Sequence, residues 1–188
     1  MTVVSPGVRA EQARRTRAGI QSAALALFAA RGYDATSLQD IADELGLTKA
    51  AVYYHFPSKL ELLQSICEPV YERLAEIIAE AAAQTSRQRR IDVMAEGFAD
   101  LTVSRRSTVS VLTADPVMHG RMKAASKMND LLDQATLVIY GDDPTPDQVL
   151  AVRAIAAVGD TISALPDLDD EQAREVLSRA VTRLLPRR

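Results

Sequence analysis

The 188 residues suffice for one ordinary domain, or for a small domain joined to a larger one, and their 22 Lys and Arg against 25 Asp and Glu leave a net charge of −3. Hydrophobic residues make up 47%, enough for a sizeable core, while 4% aromatics, no Trp and abundant Ala, Leu and Val favour helix over sheet. The single Cys67 excludes an internal disulfide, and with no 18-residue apolar run and no signal peptide the chain is expected to be cytoplasmic, neither membrane-spanning nor secreted.

In chain order, residues 1–8 contain Pro6 and Gly7 and are expected to be a disordered arm. A first helix is predicted from Arg9 or Ala10 to Ala30, with Ile20, Ala23, Ala24, Leu27 and Phe28 facing inward and Gly32 ending it. Thr36 to Phe56 reads as two short helices and a tight turn. Thr36 is the expected N-cap, with Gln39 completing a capping box. Leu38, Ile41, Ala42 and Leu45 form one apolar stripe, and Gly46 stands where a left-handed residue is expected. Thr48 caps the second helix, in which Val52 and Phe56 turn inward while Lys49, Ala50, Ala51, Tyr53, Tyr54 and His55 face out. Two helices joined by a short glycine-containing turn are the helix-turn-helix pattern, whose second helix enters the DNA major groove. An ordinary helical corner has the same spacing.

Ser58 and Glu61 form a further capping box, so another helix begins at once with Lys59 in its first turn. Here the sequence resembles the N-terminal domain of the TetR family of transcriptional regulators. The matching residues run from Ile20 to Leu63 and include Leu27, Phe28, Arg31-Gly32-Tyr33, Thr36, Ile41-Ala42, Gly46-Leu47-Thr48, Tyr53, His55-Phe56 and Lys59. They cover about a quarter of the chain. Ala50 departs from the Gly that the family often carries. The resemblance and the residue pattern together nominate Thr36, Ser37, Thr48, Lys49, Ala50, Ala51, Tyr53, Tyr54, His55 and Lys59 for DNA contact. Charge distribution agrees, because residues 1–60 carry a net +2 and residues 61–188 a net −5. Arg9, Arg14, Arg15 and Arg17 make a basic stretch opposed only by Glu11, fit either to neutralise phosphates or to remain a solvated tail.

The helix from Lys59 is predicted to reach about Gln84, bent by Pro69, and to link the DNA-binding domain mechanically to the rest. Further helices are expected over Arg89–Val103, Ser107–Thr113, Pro116–Tyr140, Pro146–Leu165 and Asp169–Leu185. The apolar stripe of the last, Ala173, Val176, Leu177, Ala180, Val181, Leu184 and Leu185, either completes the core or, with its neighbour, forms a four-helix dimer interface. The family resemblance favours the dimer. It also implies a small-molecule pocket, for which Cys67, Tyr71, Met94, Phe98, Leu101, Met118 and Met122 are the candidates, with Met128 on the same central helices, Met being adaptable to varied apolar ligands. Tyr140, His119 and Arg121 are further polar candidates. His55 and His119 are the only histidines, no Cys/His cluster has metal spacing and no phosphate loop is present, so neither enzyme activity, metal nor cofactor is expected.

The expected architecture is therefore all-α: a three-helix helix-turn-helix domain over residues 9–58, then an antiparallel helical effector-binding and dimerisation domain over 59–188. The expected function is a homodimeric, ligand-responsive regulator on an operator in double-stranded DNA, most simply a repressor released by a small-molecule effector. An activator and a ligand-independent architectural DNA binder are the alternatives.

Overall fold

The computed structural model describes residues 6–124, 126–161 and 167–185. Among them there are ten α-helices and no strand: α1 (Pro6–Arg31), α2 (Leu38–Glu44), α3 (Lys49–His55), α4 (Lys59–Ala82), α5 (Arg87–Ser104), α6 (Arg106–Ala114), α7 (Pro116–Ala124), α8 (Ser126–Tyr140), α9 (Pro146–Asp160) and α10 (Asp170–Leu184). They pack as two units that divide between Glu68 and Pro69, inside α4.

In the N-terminal unit, α1 already begins at Pro6, so Pro6, Gly7 and Val8 are helical rather than part of a disordered arm, a first-turn proline being compatible with helix. Residues 1–5 lie outside the described ones. Ile20, Ala24, Leu27 and Phe28 from α1 close on Ile41, Ala42, Val52 and Phe56 from the two short helices, all buried. Two glycines stop helices in left-handed conformations that a side chain would strain: Gly32 at φ +83° and Gly46 at φ +63°. One sequence expectation needs correction. The N-cap of α2 is Ser37, not Thr36, and the capping box is Ser37 with Asp40, not with Gln39. Thr36 instead lies buried, its hydroxyl donating to the carbonyls of Gly32 (2.9 Å) and Leu27 (3.4 Å). Gln39 donates from Nε2 to Asp43 Oδ1.

Pro69 sits within α4 without ending it. A proline removes the N–H that would have bonded the carbonyl four residues back, here that of Ser65. Gln21 of α1 replaces that donor, its Nε2 reaching the Ser65 carbonyl at 3.1 Å and the Ser65 Oγ at 3.0 Å. The Ser65 hydroxyl donates in turn to the Leu62 carbonyl at 2.7 Å. A polar residue on the first helix thus satisfies the backbone group that the proline leaves open.

In the C-terminal unit, α5 is the central helix and α10 packs along it. Ala99 and Val103 of α5 meet Ala173 and Leu177 of α10, with Val158 and Leu168 at the edge. This corrects the sequence expectation for Leu177 and Val181. Both are buried inside one chain, and so is Ala173, so these residues are core rather than interface. Of the same stripe, Val176, Ala180 and Leu184 stay partly accessible, as do apolar side chains of α9 that include Leu150, Ala154 and Ala157. Of the helix expected over Pro116–Tyr140, α7 and α8 are the described stretches, and Ala125 between them lies outside the described residues. Asp115 caps α7, its Oδ1 accepting from the Val117 and Met118 amides, and Gly141 ends α8 at φ +84°. The end of the helix expected to reach Leu165 falls beyond Thr161, outside the described residues. No helix among the described residues is long and apolar enough to cross a membrane.

Candidate nucleic-acid interface and effector cavity

The interface is built from the turn between α2 and α3. After α2 the Gly46 amide donates to Asp43 O (3.2 Å) and the Leu47 amide to Ala42 O (2.8 Å). This pair of bonds satisfies the orphan carbonyls of the helix end and reverses the chain in a fixed geometry. Thr48 then opens α3, its Oγ1 accepting from the Ala51 amide at 3.2 Å. The helix is anchored from below by Val52 (0% exposed) and Phe56 (1%). Its outer side carries Lys49, Ala50, Tyr53 and Tyr54, and Tyr54 is 83% exposed. A tyrosine so exposed covers no core and is free to meet a partner. The Lys49 ammonium lies 5.5 Å from the Tyr53 ring centre, and the His55 ring meets Tyr54 edge-on at 5.2 Å. Ala51 and His55 are half-buried at the margin.

Ser37 is exposed beside this surface, bound to Asp40 by the capping box. The Ser37 hydroxyl and amide hold the Asp40 carboxyl below its ordinary value. Two other nominees are turned away. Thr36 is buried, as described. Lys59 directs its ammonium into the loop before α2, reaching the carbonyls of Tyr33 (2.6 Å), Thr36 (2.8 Å) and Asp34 (3.4 Å), and lies 4.3 Å from the Tyr33 ring centre. Lys59 therefore ties down the loop that leads into α2.

Arg17 is a contributor that sequence reasoning placed only within a basic stretch. Its guanidinium stacks on Phe56 at 4.2 Å and donates to the His55 carbonyl at 2.9 Å, bracing the C-terminal end of α3. Nothing in the local sequence signals a contact across 38 residues. Arg14 and Arg15 both pair with Glu11 along α1.

In the C-terminal unit a cavity of about 120 Å³ is lined by residues of α4 to α6, α8 and α9. Of the residues expected to line a pocket it gathers Met94, Phe98, Leu101 and Met128. Cys67 and Met118 are buried elsewhere and do not line it. Tyr71 is buried with Lys127 5.8 Å from its ring centre, again outside the cavity wall. The side chain of Met122 lies outside the described ones. Tyr140 lies under the Arg87 guanidinium at 4.6 Å, and burial raises its hydroxyl's pKa.

A tri-helical unit with a braced, outward-facing second helix after a glycine turn defines a helix-turn-helix protein. Residues 20–66 match the model of the bacterial regulatory proteins of the tetR family, so it is the N-terminal unit, over about a quarter of the chain, that carries this family's pattern. It is 44% identical over 62 residues to the HTH-type transcriptional regulator TtgR of Pseudomonas putida, a match covering 33% of this chain and 30% of TtgR. It is 40% identical over 55 residues to the biofilm operon icaADBC HTH-type negative transcriptional regulator IcaR of Staphylococcus aureus, covering 29% of this chain and 30% of IcaR. The matched stretches span about a third of these curated relatives. The fold extends further than the sequence likeness. PfmR of Thermus thermophilus, a TetR family transcriptional regulator, superposes with a TM-score of 0.66 at 24% identity, over 88% of this chain and 93% of that one.

Proposed function

We propose that this protein is a homodimeric transcriptional regulator that occupies an operator and is released from it by a small-molecule effector. The observation that carries the reading is the outer face of α3, where exposed Tyr53 and Tyr54 stand with Lys49 and Ala50 on a helix braced by Val52, Phe56 and Arg17. In this reading Lys49, Ala50, Ala51 and Tyr54 lie against base edges, while Ser37, Thr48, Tyr53 and His55 contact phosphates and fix the register. The unit that ends at Glu68 acts as the DNA-binding domain and the unit from Pro69 as the effector-binding and dimerisation domain. Two copies pair through the partly exposed apolar residues of α9 and α10, Ala157 and Ala180 among them. Repression is supported by the likeness to IcaR, a negative transcriptional regulator. Release is a population shift in which ligand favours a conformer whose two recognition helices no longer fit adjacent major grooves.

The test is capture of genomic fragments by the purified protein, followed by footprinting of the captured site. A two-fold symmetric protected site is expected. Tyr54→Ala should change preference among base substitutions in it, whereas uniform weakening across sequences would place Tyr54 on the backbone. Binding without any site preference would favour the architectural alternative.

A further inference from the structure

We infer that the cavity of the C-terminal unit takes a small, uncharged molecule with a single-ring hydrocarbon body and at most one hydroxyl. This rests on the reading of the protein as ligand-responsive and specifies the chemistry of that response.

The wall decides the charge. Among the described residues that line the cavity there is no ionisable side chain, and the only polar ones are Thr102 and Thr113. An ion entering would lose its hydration and meet no counter-charge. The size follows from the volume. About 120 Å³ approaches the ~150 Å³ apolar cavity that accommodates benzene in another protein, so one ring fits and two do not. The character of the wall favours a ring as well. Met94 and Met128 supply polarisable thioethers and Phe98 an aromatic face, both of which contact rings favourably. Phe98 is seated against the bare backbone of Gly159, where an added methyl would lie 2.8 Å from its Cζ, so α9 sets the position of that face.

The allowance of one hydroxyl comes from the two threonines. Thr102 donates its proton to the Phe98 carbonyl at 2.8 Å, and Thr113 donates to the Val109 carbonyl at 2.9 Å. Each hydroxyl proton is thereby committed within its own helix, while the oxygen retains a lone pair able to accept. The cavity thus offers acceptors and no strong donors. A phenolic or alcoholic O–H is matched, and a carboxylate or a carbonyl is not.

The full chain is tested by calorimetry and thermal unfolding with four probes: toluene, phenol, benzoate and 4-phenylphenol. Toluene and phenol should bind saturably at one site and raise Tm, and benzoate and 4-phenylphenol should do neither. Ala156→Leu fills the space from α9 and should weaken both binders more than ~10-fold, its fold checked by circular dichroism. Thr102→Val and Thr113→Val keep shape. At least one should weaken phenol about 3- to 10-fold, the range of one hydrogen bond, and leave toluene unchanged. Benzoate or 4-phenylphenol binding as tightly as toluene would overturn the assignment. So would binding of none of the four, or toluene affinity untouched by Ala156→Leu. Phenol affinity unmoved in both threonine variants would overturn the allowance of a hydroxyl. Operator release is measured separately on the same samples. Toluene binding without release keeps the cavity's chemistry and removes the ligand-responsive reading. Release by a charged or two-ring compound, insensitive to Ala156→Leu, does the reverse.

Discussion

Replacing Lys59 by Met keeps the aliphatic stem and deletes only the ammonium. The structure gives that ammonium two short hydrogen bonds, to the carbonyls of Tyr33 (2.6 Å) and Thr36 (2.8 Å), and a long one to Asp34 (3.4 Å). Hydrogen bonds to a charged group contribute ~1.5–3 kcal/mol each, and the stacking on Tyr33 adds ~0.5–1 kcal/mol. Lys59 is half-buried, so water can reach part of what the variant leaves open. The net loss should therefore be ~2–4 kcal/mol, a large share of the ~5–15 kcal/mol that holds a typical protein folded. With a slope of ~1–3 kcal/mol/M, the urea midpoint of the N-terminal unit's transition should fall by about 1 M or more. The same protein, kept under folding conditions, should show an unaltered salt dependence of DNA binding. A lysine on a phosphate would instead reduce the slope by about one on its loss. An unchanged midpoint together with a slope flattened by one would refute the inward assignment and return Lys59 to the DNA surface.

Gln21→Leu should leave the Ser65 carbonyl, already without its helical partner because of Pro69, unsatisfied. A loss of ~1–3 kcal/mol in chemical denaturation is expected, and restoring the lost N–H with Pro69→Ala in the same chain should recover most of it. Asp40 titrates below its ordinary value of 3.8, chiefly through the Ser37 hydroxyl. Its folded pKa lies below the unfolded one, so the capping box stabilises fully above about pH 4 and is lost as pH falls through the folded value. Asp40→Asn should flatten the acid limb of the stability profile, and an unchanged limb would show that the box does not form. Leu177→Asp buries an unpaired charge against α5 and should destabilise the monomer by ~3–5 kcal/mol, read as a lowered Tm at every protein concentration. A Tm that fell only upon dilution would point to an interface instead.

Much of the fold was legible in the sequence because its signals are local. Gly46 needs a left-handed backbone wherever a helix must reverse within two residues, and Thr48 needs only its own turn to cap α3. The 3.6-residue stripes placed α2, α3 and α4 for the same reason, and the pattern from Ile20 to Leu63 carried the family likeness. What the sequence could not determine is which partner each side chain finds. Thr36 and Ser37 are adjacent and both able to cap, and only packing against Leu27 and Gly32 buries one and exposes the other. Lys59 sits at a helix N-terminus in either reading, but the loop carbonyls that claim it are more than twenty residues away. Leu177 and Val181 form an apolar stripe that would suit a partner chain as well as α5, and the tertiary structure assigns it to α5. The cavity is the extreme case. It is space left between five helices, no single sequence stretch encodes it, and the methionines of the C-terminal unit divide between lining it and filling the core according to how those helices meet.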